Sequence, residues 1–106
     1  MAWAIELVTT GNMLSAQEAL AIGLVNRVVP HTALLDEVEA TARIIAAKGP
    51  LAVKRAKQSV RASQELPLKD NNALEIRLFG ECFATADQKE GMGAFVDKRA
   101  AVFKGE

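Results

Sequence analysis

A mainly α-helical chain is predicted for this sequence of 106 residues. Three observations carry that prediction. Ala, Leu, Glu, Lys and Arg dominate, and these residues lose little on entering a helix. Only three prolines interrupt the chain. Apolar residues recur at helical spacing over most of its length, and one stretch alone, Leu24 to Val29, reads as extended.

The first helix is expected over Ala2 to Thr9, apolar on most sides as suits a helix covered by neighbours. Gly11 ends it. Ser15 opens a second helix, with Glu18 three residues on, the spacing at which each side chain reaches the other residue's backbone N–H. Gly23 stops that helix. In Leu24 to Val29 the β-branched Val25, Val28 and Val29 flank Asn26 and Arg27, and Pro30 closes the run. A strand needs a partner and no other segment supplies one. The stretch is therefore either an extended connector or a strand whose partner lies outside this sequence.

Thr32 is the expected N-cap of a long helix to about Lys48, with Leu34, Leu35, Val38, Ala42, Ile45 and Ala46 as its apolar stripe. Gly49-Pro50 breaks the chain, and Pro50 fits the first turn of a helix running to Ala62. There Val53, Ala56 and Val60 are expected to be buried while Lys54, Arg55, Lys57 and Arg61 face outward. Pro67 begins another helix, whose expected core face is Leu68, Leu74, Leu78, Phe79, Cys82 and Phe83. Thr85 with Gln88 forms a second expected capping box. Gly91 and Gly93 are read as loosening a turn before a last helix, Ala94 to Phe103.

Half of the residues are hydrophobic and a quarter charged, a globular composition. Lys plus Arg and Asp plus Glu number 13 each, so no net field draws nucleic acid or an acidic membrane. The single cysteine, Cys82, cannot form an internal disulfide, which points to a reducing compartment. The N-terminal run carries Glu6 and no basic segment, unlike a signal or transit peptide, and no apolar run approaches the ~20 residues of a membrane span. A cytoplasmic protein of one helical domain is expected, with no partner among nucleic acids or membranes.

No metal or nucleophile constellation is visible. His31 stands alone in a turn and is read as solvent-facing or capping. Cys82 reads as a structural thiol on an apolar face. Ser15, Ser59 and Ser63 lack a base partner. Glu75, one turn before Phe79, is expected to pair with an arginine across a helix contact rather than to act as a perturbed acid. Lys54, Arg55, Lys57 and Arg61 read as the solvated side of their helix. Phe95 and Lys98, three residues apart, share a helix face. A flat ring beside an ammonium suits a ligand with a planar base and a phosphate; taken alone, the pair is better explained as a core ring and a surface cation.

Two longer motifs weight that choice. Thr10-Gly11 with Ser15-Ala-Gln-Glu-Ala19 and Gly23-Leu-Val25, closing on Pro30, resembles the segment "TG…SA.EA…GLV…V.P" of the enoyl-CoA hydratase (crotonase) family. Glu90-Gly-Met-Gly-Ala-Phe95, followed by Lys98-Arg99 and Phe103, resembles that family's "EG..AF..KR…F". Lys54 to Lys57 falls at its "P.A…K" helix. The resemblance spans the chain but only the C-terminal part of a family member. It implies the C-terminal orthogonal helical bundle of the crotonase fold, with 1–30 as the junction to a spiral core upstream.

It further implies a coenzyme A thioester as ligand, with Phe95 and Lys98 against its adenine and ribose phosphate, and assembly into trimers or dimers of trimers. The family stabilises a thioester enolate with two backbone N–H groups, and its hydratases move the proton and water with two glutamates. The resemblance places all of these before Met1, so no residue of this chain is expected to be catalytic. No separate cofactor or metal is implied. The implied parent hydrates a trans-2-enoyl-CoA to a 3-hydroxyacyl-CoA in fatty-acid oxidation, and this chain alone is expected to be inactive. The alternative is a non-catalytic helical oligomerisation or interaction module. In either case, uncovered apolar faces are expected to drive self-association or pairing with the rest of the protein.

Overall fold

Chain stops rather than strands organise the N-terminal segment. In the computed structural model, which describes residues 2–106, α1 spans Ala2–Thr10 and α2 spans Ala16–Ala21. Ser15 Oγ accepts the Glu18 N–H at 3.2 Å, and the Ser15 N–H donates to Glu18 Oε2 at 2.8 Å, so the expected capping box is formed. These bonds to Ser15 hold the Glu18 carboxyl below its usual range. Gly23 then takes φ +75°, with Leu24 N–H donating to Ala19 O and Gly23 N–H to Leu20 O. That is a Schellman stop, which needs a left-handed residue. Leu24 to Val29 bends away without forming a strand, and no strand occurs among the described residues.

A single 3₁₀ turn, His31–Ala33, precedes α3 (Leu34–Ala46). Pro30 begins it, so Thr32 lies inside the turn and does not cap the helix. The fixed φ of Pro30 presets that entry. Leu34, Leu35, Val38 and Ile45 are all exposed, and α3 buries no residue. The described residues form two compact units, the first running to Val38 and the second spanning Glu39–Glu106. In the first, Ala19 alone is buried, and Trp3, Ile5 and Val8 of α1 are exposed.

The second unit contains α4 (Pro50–Ala62), α5 (Leu68–Phe83) and α6 (Ala86–Val96), with α5 packed on both neighbours. Pro50 starts α4 and Pro67 caps α5, as the missing N–H and fixed φ of proline dictate. On α5, Leu78 is buried while Leu74 and Cys82 are half-buried. Leu68, Phe79 and Phe83, expected in the core, are instead 77%, 66% and 54% exposed. At about 100° per residue, Leu68, Ile76, Phe79 and Phe83 fall within about 80° of one another, beside the Leu74–Leu78–Cys82 stripe. The helix thus carries two adjacent apolar faces. One packs within this unit and the other, where Phe79 and Phe83 meet edge-on at 5.2 Å, lies open. On α4, Val53 is half-buried, but Ala56 and Val60 are exposed, because they line an open groove beside Phe79 and Cys82.

The last helix corrects the expectation for Ala94 to Phe103. α6 begins directly after Thr85 and runs through Gly91 and Gly93 to Val96; residues 100–106 have no regular structure. Thr85 Oγ1 accepts the Gln88 N–H at 3.1 Å and donates to Cys82 O, so half of the second capping box forms. The glycines serve close approach instead of a turn. A Cβ on Gly91 would lie 3.3 Å from Phe103 Cε1.

That difference is measurable. Gly80→Ala, inside α5 with nothing within 4 Å of the added carbon, is expected to raise stability by about 0.5–1 kcal/mol. Gly91→Ala gains the same helix preference but must shift the Phe103 ring. Urea unfolding is expected to show little or no gain for it; equal gains at both sites would contradict this account.

Candidate functional site

α6 and the seven residues after its closing turn form one locked assembly. Asp87, in the first turn of α6, is 7% exposed. Its Oδ1 accepts the Lys104 N–H at 2.7 Å and its Oδ2 the Gly105 N–H at 2.8 Å, while its own N–H donates to Glu106 O at 3.0 Å. A carboxylate here also faces the positive end of the helix. Between these bonds and the helix, the Phe103 ring lies against Gly91 and Gly49.

One turn further on, Glu90 holds the other end of the strap. Arg99 Nη1 and Nη2 donate to its two oxygens at 2.6 and 2.8 Å, a fork-to-fork pair, and the Val102 N–H donates to Oε1 at 2.8 Å. The Arg99 guanidinium, and then the Val102 N–H, pull the Glu90 carboxyl down to about 2 from an ordinary 4.5. With the folded value depressed, this pair contributes fully above about pH 4.5 and is lost as pH falls towards 2. Acid unfolding of the wild type and Glu90→Gln should therefore differ above pH 4.5 and converge below it. A gap independent of pH would show that the pair does not titrate with folding.

Phe95 and Lys98 sit at the turn between helix and strap. Phe95, in the last turn of α6, is 81% exposed. Lys98 lies beyond the helix end, exposed, with φ +55°, so the two do not share a helix face as the spacing suggested. Their backbones are joined instead: the Lys98 N–H donates to Phe95 O at 3.3 Å and the Arg99 N–H to Ala94 O at 3.0 Å. This is the stop seen at Gly23, here with a lysine in the left-handed position, which costs an L-residue about 1–2 kcal/mol. The exposed ring and the exposed ammonium are thus both presented by one short turn.

The remaining candidates are ordinary. His31 is exposed in its 3₁₀ turn. The Cys82 thiol donates to Leu78 O at 3.4 Å, as a structural thiol does. Glu75 is exposed and makes no arginine pair among the described residues. Arg55 pairs instead with Glu81, Nε to Oε2 at 3.2 Å, and is half-buried where an outward face was expected. Arg77 shares the same carboxylate at 2.8 Å, one helical turn away. Lys54, Lys57 and Arg61 do face outward, around an open groove of about 500 Å³.

The family model for enoyl-CoA hydratase/isomerase matches residues 1–106 of this sequence. The chain belongs to the enoyl-CoA hydratase/isomerase family. Within the family it is 51% identical over 96 residues to a Dictyostelium discoideum protein named "Probable enoyl-CoA hydratase, mitochondrial", and 45% identical over 101 residues to the mitochondrial enoyl-CoA hydratase of Pongo abelii. Those alignments cover 91% and 95% of this chain and 35% of each relative. The chain thus spans about a third of the length of these curated relatives. A crystal structure of enoyl-CoA hydratase from Bacillus anthracis matches with a TM-score of 0.95 and 37% identity, over 100% of this chain and 41% of that one. The helical order described above is accordingly that of a crotonase-fold protein.

Proposed function

We propose that this chain is the C-terminal helical part of an enoyl-CoA hydratase-type enzyme, contacting coenzyme A and neighbouring subunits while other segments do the chemistry. On this reading residues 1–30 join the helical region to the catalytic core, and the parent hydrates a trans-2-enoyl-CoA to a 3-hydroxyacyl-CoA in fatty-acid oxidation. The observation that carries it is the turn at Phe95 and Lys98, in a chain matched end to end by the family model. An 81% exposed phenyl ring is poorly explained as core and well explained as a face for a planar base. A lysine held in a left-handed turn next to it offers a point charge to a phosphate.

No residue of this chain is assigned a catalytic role. The free thiol of Cys82 supports a reducing compartment, and a cytoplasmic location is proposed on that ground. No helix is long and apolar enough to cross a membrane among the described residues.

Calorimetric titration with coenzyme A tests the site. Saturable binding is expected, weakened by about tenfold or more in Phe95→Ala/Lys98→Ala, since an aromatic stack and a charge each contribute about 1–2 kcal/mol. No heat at millimolar ligand from a folded sample would remove both residues from the site. Crotonyl-CoA offered to this chain alone should remain unhydrated. The open apolar face of α5 also favours a second reading, a non-catalytic oligomerisation module. Such a module would self-associate and ignore coenzyme A.

A further inference from the structure

We propose that Glu90 and Arg99 are positioning residues for the coenzyme A contact, holding Lys98 in its left-handed turn beside Phe95. This rests on the ligand reading above and adds the means by which the site is kept in shape.

Lys98 is the only non-glycine residue with positive φ among the described residues. The equivalent stop after α2 uses Gly23, which adopts that conformation without strain. A lysine there persists only if its surroundings hold it. Its own turn holds it through two backbone bonds, the Lys98 N–H to Phe95 O at 3.3 Å and the Arg99 N–H to Ala94 O at 3.0 Å. The side chain of the next residue adds a further restraint. The Arg99 side chain folds back along α6 past Gly93, where an added Cβ would lie 3.9 Å from Nη2, and grips both oxygens of Glu90. Arg99 Nη1 also donates to Ala100 O at 3.2 Å, and Glu90 takes the Val102 N–H. Glu90 therefore fixes the chain on the C-terminal side of Lys98, adding to the bond from the Arg99 N–H to Ala94 O, while Lys98 itself is tied to the helix through Phe95 O.

The adjacent cations divide the work. Arg99 is engaged within the chain, with Asp97 Oδ2 also 3.6 Å from its Nε, whereas among the described residues no hydrogen bond or ion pair engages the Lys98 ammonium. Planar forks suit the fixed bidentate pair, and a flexible ammonium suits a phosphate.

The test compares ligands that share one end only. Dissociation constants of the intact protein for coenzyme A and for 4′-phosphopantetheine, which lacks the adenosine part, are measured for wild type, Glu90→Gln, Arg99→Lys and Phe95→Ala/Lys98→Ala. Glu90→Gln is expected to weaken coenzyme A about tenfold and 4′-phosphopantetheine less than about twofold. Arg99→Lys keeps the charge but loses the fork, and is expected to weaken coenzyme A about threefold; it decides the matter should Glu90→Gln fail to fold. Equal losses for both ligands would mean a merely structural pair and overturn the proposal. So would unchanged coenzyme A affinity in both variants while Phe95→Ala/Lys98→Ala loses it, an outcome that leaves the ligand reading intact. Unchanged affinity in Phe95→Ala/Lys98→Ala overturns the ligand reading itself.

Discussion

Asp87→Ala is expected to release residues 100–106 from α6 and to lower stability by about 2–4 kcal/mol. The buried carboxylate accepts two backbone N–H groups, and charge-assisted bonds of this kind contribute about 1.5–3 kcal/mol each. Their sum is an upper bound, because the freed Lys104 and Gly105 N–H groups regain water and the strap regains conformational freedom. Phe103 then loses its hold on Gly49 and Gly91, which adds to the loss. Asp87→Asn keeps one acceptor oxygen and should cost about half as much. Hydrogen exchange at Lys104 and Gly105 checks this directly. Fast exchange in Asp87→Ala with α4 and α5 still protected is the expected pattern, and unchanged protection would contradict it.

Leu78→Ala is expected to cost about 2–3 kcal/mol, the low end of the range for a buried leucine. Leu78 is 4% exposed, the one large buried hydrophobic side chain among the described residues, and it sits where α5 packs on α4. The low end applies because the site borders an open groove of about 410 Å³ lined by Ala56, Val60 and Phe79. Truncation therefore enlarges a space already reached by solvent instead of leaving a sealed void. Even so, such a loss is a large share of the stability of a small unit. Urea unfolding with a shifted midpoint and unchanged slope is the expected result. A change under about 1 kcal/mol would show that α4 and α5 are held mainly by something else.

Local chemistry was readable from the sequence at several places where one or two turns decide the outcome, although Thr32 does not cap α3 and the Thr85–Gln88 box forms only in half. The Ser15–Glu18 box, the stop at Gly23 and the prolines at 50 and 67 each depend on neighbours within a few residues, and each forms as read. The strap was not readable. Gly91 and Gly93 carry the usual signature of a turn, but they serve contacts with Phe103 and Arg99, residues beyond the end of α6. Asp87 binds the backbone of Lys104 and Gly105, and backbone groups leave no mark in a sequence. Phe95 and Lys98 were found by type and spacing, yet their shared feature is a turn geometry and not a helix face. On α5, hydrophobicity merged two apolar stripes into one expected core face and did not separate the covered one from the open one. Leu78 lies on the covered one, and Phe79 and Phe83 on the open one.

That open stripe carries the central claim, a helical region built to be covered by other surfaces. Phe79 and Phe83 alone leave roughly 200 Å² of aromatic surface in water, and Leu68 and Ile76, 77% and 74% exposed, extend the same face. At ~25 cal/mol per Å², several hundred Å² amounts to several kcal/mol gained on covering it. Sedimentation velocity of the chain by itself over a range of micromolar concentrations tests this most directly. The account predicts a sedimentation coefficient that rises with concentration as the chain self-associates. A compact, stable monomer throughout that range would contradict it.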